Sequence, residues 1–413
     1  MALAPTEAVE DTDEPPHPYR WTMLFGVWLM YFSFALTIAS LAPLVFLIEK
    51  DLGIDHALMG TILGAWPVIY IASSAPCGAL LDRFGPRRML FVSITIIAFS
   101  GVLRAVSDSY VEVLLAIFVF GIGGPLISSG APKIVSLWFK GKDRGLGIGI
   151  YFTGNALGGI AAVSLTNSHV MPLFDHDWRQ VLMAYAAFVF CAGLIWLLIS
   201  AHPASKAVEK TLAAEEKTPI SQVFFELLSI PLVRIVLVIG IFILFFNHGL
   251  THWLPTILHE KGMDEVSAGY WASIPTIFGL VTAPFIPRLA TPERRYLILL
   301  LLFLAAAVAT LFIQFGDGLI LGMGLLMQGV CRGSMTGIAI LMLMDTENGK
   351  HVGAASGLYF SAGEIGGALG PMTVGGLAQS TGSFSAPLYM MTGVACLLIM
   401  LLARLRFVAR RDA

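Results

Sequence analysis

Charged residues are scarce in this sequence. Lys, Arg, Asp and Glu together make up 13% of the 413 residues, and hydrophobic residues make up 57%, whereas soluble proteins are about 25% charged. A chain with this composition buries its apolar surface in lipid, so we infer a membrane protein. The net charge of −2 and the lack of a dense basic run give no indication of a nucleic-acid partner.

Several chemical signatures are also missing. The four cysteines lie in apolar runs without CxxC spacing, so we expect helix packing and neither disulfides nor a metal site; they are Cys77, Cys191, Cys331 and Cys396. No GxxxxGK[ST] loop is present, so we expect no direct use of ATP and no cofactor. No nucleophile, base and orienting residue occur at a recognisable spacing, and we do not expect an enzyme.

Long apolar runs are abundant instead. Runs of about 20 residues cross a bilayer as helices, because a helix satisfies every backbone polar group internally. The sequence predicts twelve spans, at 21–48, 56–80, 88–106, 111–138, 145–167, 180–201, 233–257, 265–287, 295–314, 318–344, 353–378 and 386–405.

The basic residues between spans predict the topology. Lysine and arginine are retained on the cytoplasmic side of a membrane, and with both termini inside, nineteen of them lie on that side. The outer side and its helix ends then hold four, namely Lys50, Arg104, Arg179 and Lys261. We therefore expect a multi-pass cell-membrane protein, in the inner membrane if bacterial, with both termini cytoplasmic.

One long polar connection divides the spans six and six. The predicted organisation is a disordered cytoplasmic tail at 1–20, a six-helix half at 21–201, a cytoplasmic linker at 202–232, a second six-helix half at 233–405 and a tail at 406–413. The acidic first twenty residues lack the basic start and cleavage site of a signal peptide.

The two halves carry an internal repeat. Residues 142–159, "KDRGLGIGIYFTGNALGG", align without gaps to residues 350–367, "KHVGAASGLYFSAGEIGG", at an offset of 208, which also places Gly121 on Gly329. Pseudo-symmetric halves of this kind place a substrate site between them near the midplane. Two charges break the symmetry, since Arg332 faces Gly124 and Glu364 faces Ala156.

The loop between spans two and three carries a motif, "GALLDRFGPRRML" at 78–90. It resembles the conserved cytoplasmic loop G-x-L-x-D-R-x-G-x-R-x-x-L of the major facilitator superfamily. The resemblance implies an all-α membrane protein with twelve transmembrane helices in two pseudo-symmetric halves, acting as a transporter. Its glycines allow close approach and a tight turn, and its charges form a conformational latch; the latch residues are Gly78, Asp82, Arg83, Gly85, Arg87 and Arg88.

Other stretches bear on the substrate class. "GVLRAVSDSY", "GIGGPLISSGAPKIVSLWF" and "NHGLTHWLPTILHEKGMDEVSAG" resemble the cyanate and nitroimidazole permease group of small-anion carriers. "GAPKIVSLWF" also resembles haem, choline and monocarboxylate carriers. "AIFVFGIGG" lacks the arginine and "GNALGGIAA" lacks the proline that are usual in drug and proton antiporters, which counts against a multidrug pump.

Arg332 lies near the middle of the tenth span. A cation at this depth costs about 2.5 to 3.5 kcal/mol on insertion scales, so it normally faces a ligand, a water-filled path or a partner. Gln328 lies one turn earlier, and small residues surround both in "QGVCRGSMTG". We predict an anion clamp, because guanidinium binds carboxylates through two hydrogen bonds; the alternative is a structural ion pair.

Polar residues in other spans complete the candidate site. Glu364 is interpreted as a proton-coupling residue, as the counter-ion of Arg332 or as a packing residue. Span seven contributes Asn247, His248 and His252, the histidines being one turn apart and able to bind substrate or titrate; a satisfied polar contact between helices is the alternative. Further candidate substrate-binding residues are Tyr151, Asn155, Tyr359, Trp66 and Tyr70.

The sequence thus predicts a secondary transporter of a small anion, an organic carboxylate or inorganic anion, working by alternating access. Its expected partners are the anion, protons or a counter-anion, and the lipid bilayer, and the chain is expected to be a monomer. Three alternatives stay open: a haem or choline carrier, a multidrug efflux carrier, and a sensor that binds without transporting.

Overall fold

The computed structural model describes residues 17–139, 141–205, 227–282, 285–345 and 352–411. Within these ranges the regular structure is helical, with no strand. Twelve long helices follow in chain order: α1 (Arg20–Ala39), α2 (His56–Phe84), α3 (Pro86–Ala105), α4 (Tyr110–Trp138), α5 (Gly141–Leu165), α6 (Trp178–Ser200), α7 (Pro231–Glu260), α8 (Glu265–Thr282), α9 (Arg295–Phe315), α10 (Gly318–Asp345), α11 (Val352–Thr381) and α12 (Ser385–Arg411).

The helices confirm the predicted all-α membrane fold. In the described part of the chain, ten helical segments are long and apolar enough to cross a bilayer. The other two long helices, α8 and α11, occupy the positions of predicted spans eight and eleven. Lipid contact explains the many large apolar side chains left exposed, such as Leu198 and Leu319.

The first predicted span is interrupted in the structure. The first span is not one helix to residue 48, because α1 ends at Ala39 and a 3-10 turn at Ala42–Leu44, which contains Pro43, precedes a short helix at Val45–Leu52. Proline lacks the N–H that would continue the helix. The last helix, α12, continues into the predicted cytoplasmic tail as far as Arg411, where basic residues are favourable at a helix C-terminus. The cytoplasmic placement of this tail stays a prediction.

The internal repeat corresponds to repeated packing. A Cβ at Gly121 would lie 2.8 Å from the Trp66 carbonyl oxygen, so α4 lies directly on α2. Its counterpart Gly329 would place a Cβ 2.5 Å from the Pro275 carbonyl oxygen, so α10 lies equally close to α8. Small residues of this kind let membrane helices approach closely.

The two halves meet tightly at one end of the bundle. We call the end that holds the α2–α3 turn at Gly85 the basic end, and the end that holds the turns at Gly53 and Gly262 the far end. A Cβ on Gly60 of α2 would lie 2.7 Å from the Pro371 carbonyl oxygen of α11. A Cβ on Gly269 of α8 would lie 2.5 Å from the Val163 carbonyl oxygen of α5. At both contacts the helix backbones of the two halves are too close for any side chain between them.

Polar contacts also cross between the halves at the far end. His56, at the start of α2, places Nδ1 2.7 Å from Glu49 Oε1 and Nε2 3.5 Å from Glu260 Oε1 of α7. Its backbone N–H donates to Gln379 Oε1 of α11 at 3.3 Å. Nearby, Asn167 donates to the Glu265 carbonyl at the start of α8. The described structure is therefore closed at the far end.

Gly375 provides a test of this closure. A Cβ on Gly375 would overlap the His56 carbonyl oxygen and lie 2.7 Å from Trp253 Cζ2, whereas a Cβ on Gly376 has no described atom within 4 Å. We expect Gly375→Ala to shift the protein away from the closed far end, because backbone cannot yield as a flexible side chain does. Gly376→Ala is the matched control, with the same change in helix propensity.

The measurement is the distance between spin labels on Lys50→Cys and Ser380→Cys, by double electron–electron resonance, with the four native cysteines replaced by alanine. Both positions are exposed at the far end, in opposite halves. Gly375→Ala is expected to add longer distances that Gly376→Ala lacks. Identical distributions in the two variants would show that the contact does not control closure.

Candidate substrate site between the two halves

Arg332 lies at the middle of α10 and faces α8. Its Nη1 donates to Thr276 Oγ1 at 3.0 Å, and its side chain is half-buried. No carboxylate forms an ion pair with it among the described residues. The guanidinium has five N–H donors, so one threonine hydroxyl leaves most of its hydrogen-bonding capacity for another group.

Backbone packing sets this position. The close approach at Gly329 brings α10 onto Pro275, and Thr276 follows directly, within reach of Arg332. The equivalent position in the other half, Gly124, faces a different neighbour, because a Cβ there would lie 2.9 Å from Cδ2 of Tyr70. At this position the first half packs Tyr70 against a glycine, whereas the second half has room for an arginine side chain that reaches Thr276.

Two buried amides lie close to Arg332 in the fold, one on α7 and one on α10. Asn247 of α7 donates Nδ2 to the Arg332 carbonyl at 3.3 Å, while its Oδ1 has no hydrogen-bond partner. Gln328, one turn before Arg332, is 1% exposed and its Oε1 has no partner either. An unsatisfied buried polar atom costs about 1 to 3 kcal/mol, so these atoms indicate a place for a polar ligand or water. We call Arg332, Thr276, Asn247 and Gln328 the central site.

Glu364 contacts His248 and not Arg332. Its Oε2 lies 3.8 Å from His248 Nδ1, and the carboxylate is 90% buried. Gly367, one turn later on α11, makes room for this contact, since a Cβ there would overlap Glu364 Oε2 and lie 2.7 Å from His248 Nδ1. The Arg332–Glu364 pair that the sequence allows is not formed, because α11 presents Glu364 to α7.

The two histidines extend the polar surface toward the far end. The His248 and His252 rings are 6.0 Å apart, and His248 also lies 5.9 Å from the Trp66 ring of the other half. Nδ1 of each histidine and Nε1 of Trp66 are buried without a hydrogen-bond partner. One turn separates the histidines, so His252 is about 6 Å nearer the far end.

The predicted tyrosines occupy packing positions. Tyr151 is buried with its ring 4.7 Å from that of Tyr31. Tyr359 is fully buried and fills the space opposite Gly240, where a Cβ would lie 2.6 Å from its ring. Neither tyrosine is brought against Arg332 by a described contact, and their role in binding stays a prediction.

Asn155 and Tyr70 have different surroundings. Asn155 is half-buried one turn after Tyr151, and its role in binding is likewise a prediction. Tyr70 shares a 2.6 Å hydrogen bond with Ser128, and its ring lies 5.7 Å from Trp66. Trp66 and Tyr70 thus form one aromatic surface of the first half, which faces His248 through Trp66.

The signature loop forms the turn that its glycines predict. Gly85 has φ +82° between α2 and α3, a conformation that favours glycine. Arg87 Nη1 donates to the Ser200 carbonyl at 2.9 Å, and the Arg87 carbonyl accepts from Trp196, so this arginine ties α3 to α6. Arg83 and Arg88 are exposed.

For two latch residues the predicted contacts are not seen. One has none in the described structure, and the side chain of the other is not described. Gly78 has no described atom within 4 Å of its Cβ position, so the close helix approach expected there is absent in this conformation. The side chain of Asp82 lies outside the described part of the structure. The latch function itself stays a prediction.

Arg104, predicted among the cations of the outer side and its helix ends, is a buried residue near the far-end terminus of α3. It is 1% exposed, donates Nη1 to the Thr37 carbonyl at 2.9 Å and lies over the Phe120 ring at 5.1 Å. Its position one residue before the end of α3 predicts a side chain that reaches the interface. The early end of α1 at Ala39 could have signalled the difference, because it frees the Thr37 carbonyl to accept.

Family membership follows from comparison with known proteins. The family model of the Major Facilitator Superfamily matches residues 27–327 and 294–413. The chain belongs to this superfamily. It is therefore a multi-pass membrane protein and a transporter of small molecules, in a family whose members are generally not enzymes.

Relatives cover most of the chain at low identity. The probable galactarate/D-glucarate transporter GudP of Escherichia coli is 25% identical, over 82% of each chain. The hexuronate transporter of Bacillus subtilis is 24% identical, over 87% of this chain and 88% of its own. A quinolone resistance transporter of Acinetobacter baumannii is also 24% identical, over 83% of each chain.

Solved structures show the same fold. The nucleoside transporter NupG has a TM-score of 0.76 at 15% identity and covers 94% of this chain and 99% of its own. A bacterial homologue of the human lysosomal transporter Spinster has a TM-score of 0.73 at 17% identity, over 96% and 98%. At such identities the likeness establishes the major facilitator fold.

Gly367→Ala tests the Glu364–His248 contact. The added methyl meets only the ends of two side chains, which can move, so we expect stability to change by no more than about 1 kcal/mol, with helix propensity favouring alanine. Transport and its dependence on pH are nevertheless expected to fall, because the carboxylate and imidazole are pushed apart.

The measurements are melting temperature and proteoliposome uptake at several pH values. Gly376→Ala gains the same helix propensity in open space and is expected to behave as wild type in both. If Gly367→Ala transports normally at every pH, the contact has no part in transport.

Proposed function

We propose that this protein is a secondary transporter of a small anion, an organic carboxylate or inorganic anion, that moves its substrate past Arg332 by alternating access. The observation that carries the proposal is a half-buried arginine at mid-membrane with no ion-pair partner among the described residues. An anion that supplies the missing charge would offset part of the cost of the buried cation.

The neighbouring groups suit this ligand. Guanidinium remains charged and donates two parallel hydrogen bonds to a carboxylate or similar planar anion. Thr276 holds one edge of it at 3.0 Å. The amides of Asn247 and Gln328 have unsatisfied buried atoms, and an amide can rotate to donate to ligand oxygens as well as accept from its hydroxyls.

The relatives support a carboxylate more than other classes. GudP and the hexuronate transporter are named for sugar acids, which carry the group that an arginine clamp recognises. The relative named for quinolone resistance keeps a drug exporter as the second candidate. That candidate predicts transport that is largely independent of Arg332.

The closed far end fits one state of an alternating-access cycle. With the basic end assigned to the cytoplasm by its lysines and arginines, both termini are cytoplasmic and the far end is external. The contacts of His56 with Glu260 and Gln379 then close the outer side, and rocking of the halves would exchange this closure for one at the basic end. The repeat supports the proposed boundaries of the halves, 21–201 and 233–405.

Glu364 and His248 are the proposed coupling pair. They lie 3.8 Å apart on α11 and α7, and both are largely buried. A proton shared between a carboxylate and an imidazole at this depth changes the charge next to the central site, and it can therefore alter anion affinity as the halves rock. Exchange against a second anion is the alternative coupling.

Arg332→Gln tests the clamp by thermal shift. Purified wild type is titrated with small mono- and dicarboxylates, nitrate and nitrite, and a binding anion raises the apparent stability by about 2.7 kcal/mol at 100 times its dissociation constant. Arg332→Gln is expected to lose this response. Arg404→Gln removes the same charge at an exposed position and is expected to keep it; a response retained in Arg332→Gln would contradict the proposal.

Glu364→Gln tests the coupling role. Glutamine keeps the shape but cannot carry the proton, so we expect loss of proton-driven accumulation while counterflow exchange of the anion continues. Both activities are measured in proteoliposomes with and without a proton gradient. Accumulation at the wild-type level would remove Glu364 from the coupling mechanism.

A further inference from the structure

The second buried arginine has more hydrogen-bonding capacity than its contacts use. Arg104 is 1% exposed, and its one described hydrogen bond is the Nη1 donation to Thr37. Its Nε is buried without a partner, and no described carboxylate forms an ion pair with it. If Arg104 served only to cap the Thr37 carbonyl, a neutral amide would do so without the desolvation cost of a charge.

Arg104 lines a small cavity between the halves. Trp66, Phe120 and Ile117 of the first half and His252 of the second half line it as well. The cavity brings together three buried groups that each have a nitrogen without a hydrogen-bond partner, namely Arg104 Nε, Trp66 Nε1 and His252 Nδ1. We call this set the Arg104 pocket.

The Arg104 pocket continues the polar surface of the central site. His252 lies 6.0 Å from His248, which contacts Glu364, and Trp66 lies between His248 and Phe120 at 5.9 and 6.0 Å. Arg104 lies 5.1 Å from the Phe120 ring and lines one cavity with His252. The contacts from Arg104 through His252 to His248 and Glu364 are therefore continuous.

We propose that the Arg104 pocket is a second anion-binding site, taking a small planar oxyanion or a single carboxylate group on the far-end side of Trp66. This inference rests on the proposed anion transport and makes it a two-site path. Arg104 supplies the charge, and the Trp66 indole donates a further hydrogen bond. The His252 imidazole accepts or donates according to its tautomer and protonation state.

The dimensions give the pocket a place in the transport cycle. Its free space is about that of one water molecule in the described conformation. Since the pocket is lined by both halves, separation of the halves at the far end widens it. An anion thus occupies the Arg104 pocket when the far end opens and the central site when the far end closes.

Nitrate is the probe, titrated into protein labelled with 5-fluorotryptophan and observed by ¹⁹F NMR. Ionic strength is held constant with sodium chloride, whose spherical anion cannot form the paired hydrogen bonds of a planar oxyanion and adds no ¹⁹F signal. The Trp66 resonance is assigned by its loss in Trp66→Phe. A saturable shift of this resonance is expected in wild type and in Arg332→Gln, and it is expected to disappear in Arg104→Gln.

The variants separate structure from binding. Arg104→Gln retains a donor for the Thr37 carbonyl, and Arg104→Lys retains the charge, so Arg104→Lys is expected to keep the nitrate response. Loss of the response in both Arg104 variants assigns Arg104 to packing and overturns the proposal. A response that survives Arg104→Gln also overturns it.

The two proposals fail in different ways. A Trp66 response that requires Arg332 but not Arg104 removes the second site and leaves the central clamp. A response that requires Arg104 alone, together with no thermal shift dependent on Arg332, keeps the Arg104 pocket and removes the central clamp. A response that is lost in Arg332→Gln as well as in Arg104→Gln shows one shared site and overturns the proposal of a separate second site. The absence of any nitrate response in wild type also overturns it.

Discussion

The free-energy cost of placing a cation inside the membrane is the constraint on which the proposed site depends. A guanidinium at a helix centre must recover about 2.5 to 3.5 kcal/mol or more from its surroundings, yet Arg332 has one described side-chain hydrogen bond. Arg104, at the end of α3, is 1% exposed and has one described hydrogen bond, to a carbonyl. A structural ion pair would have placed a carboxylate beside each. The buried acid Glu364 instead contacts His248, and neither arginine has an ion-pair partner among the described residues.

Glycine and proline positions make this arrangement possible. Gly329 brings α10 onto Pro275, and Gly367 opens the space in which Glu364 meets His248. At the far end Gly60 and Gly375 allow α2 and α11 to touch along their backbones. Since van der Waals packing replaces the hydrophobic effect between helices in lipid, close approaches of this kind hold the helices together both around the central site and at the far end.

The sequence predicts the fold well because the membrane imposes length and polarity. Apolar runs, basic loops and the offset of 208 between the halves were sufficient for twelve helices and for the depth of Arg332. A prediction from hydrophobicity does not include the missing N–H of Pro43, so it does not predict the break after α1. The apolar run ends at residue 405, so hydrophobicity alone does not predict that α12 continues through basic residues to Arg411.

The site was harder to predict because rotation of a helix about its axis decides which side chains meet. Depth alone allowed Glu364 to pair with Arg332, but α11 directs it to His248. The position of Arg104 near the end of α3 does not indicate that the end of α1 provides a buried acceptor for it. Such contacts depend on how two helices are rotated and shifted relative to each other. The sequence of one helix does not give the position of its neighbour.

Uptake of radiolabelled substrate measures the central claim most directly. The anion that stabilises the wild-type protein most is offered to proteoliposomes that contain either wild type or Arg332→Gln, at equal and verified insertion. Transport past Arg332 predicts uptake by wild type and background uptake by the variant. Equal uptake by the two proteins would contradict it.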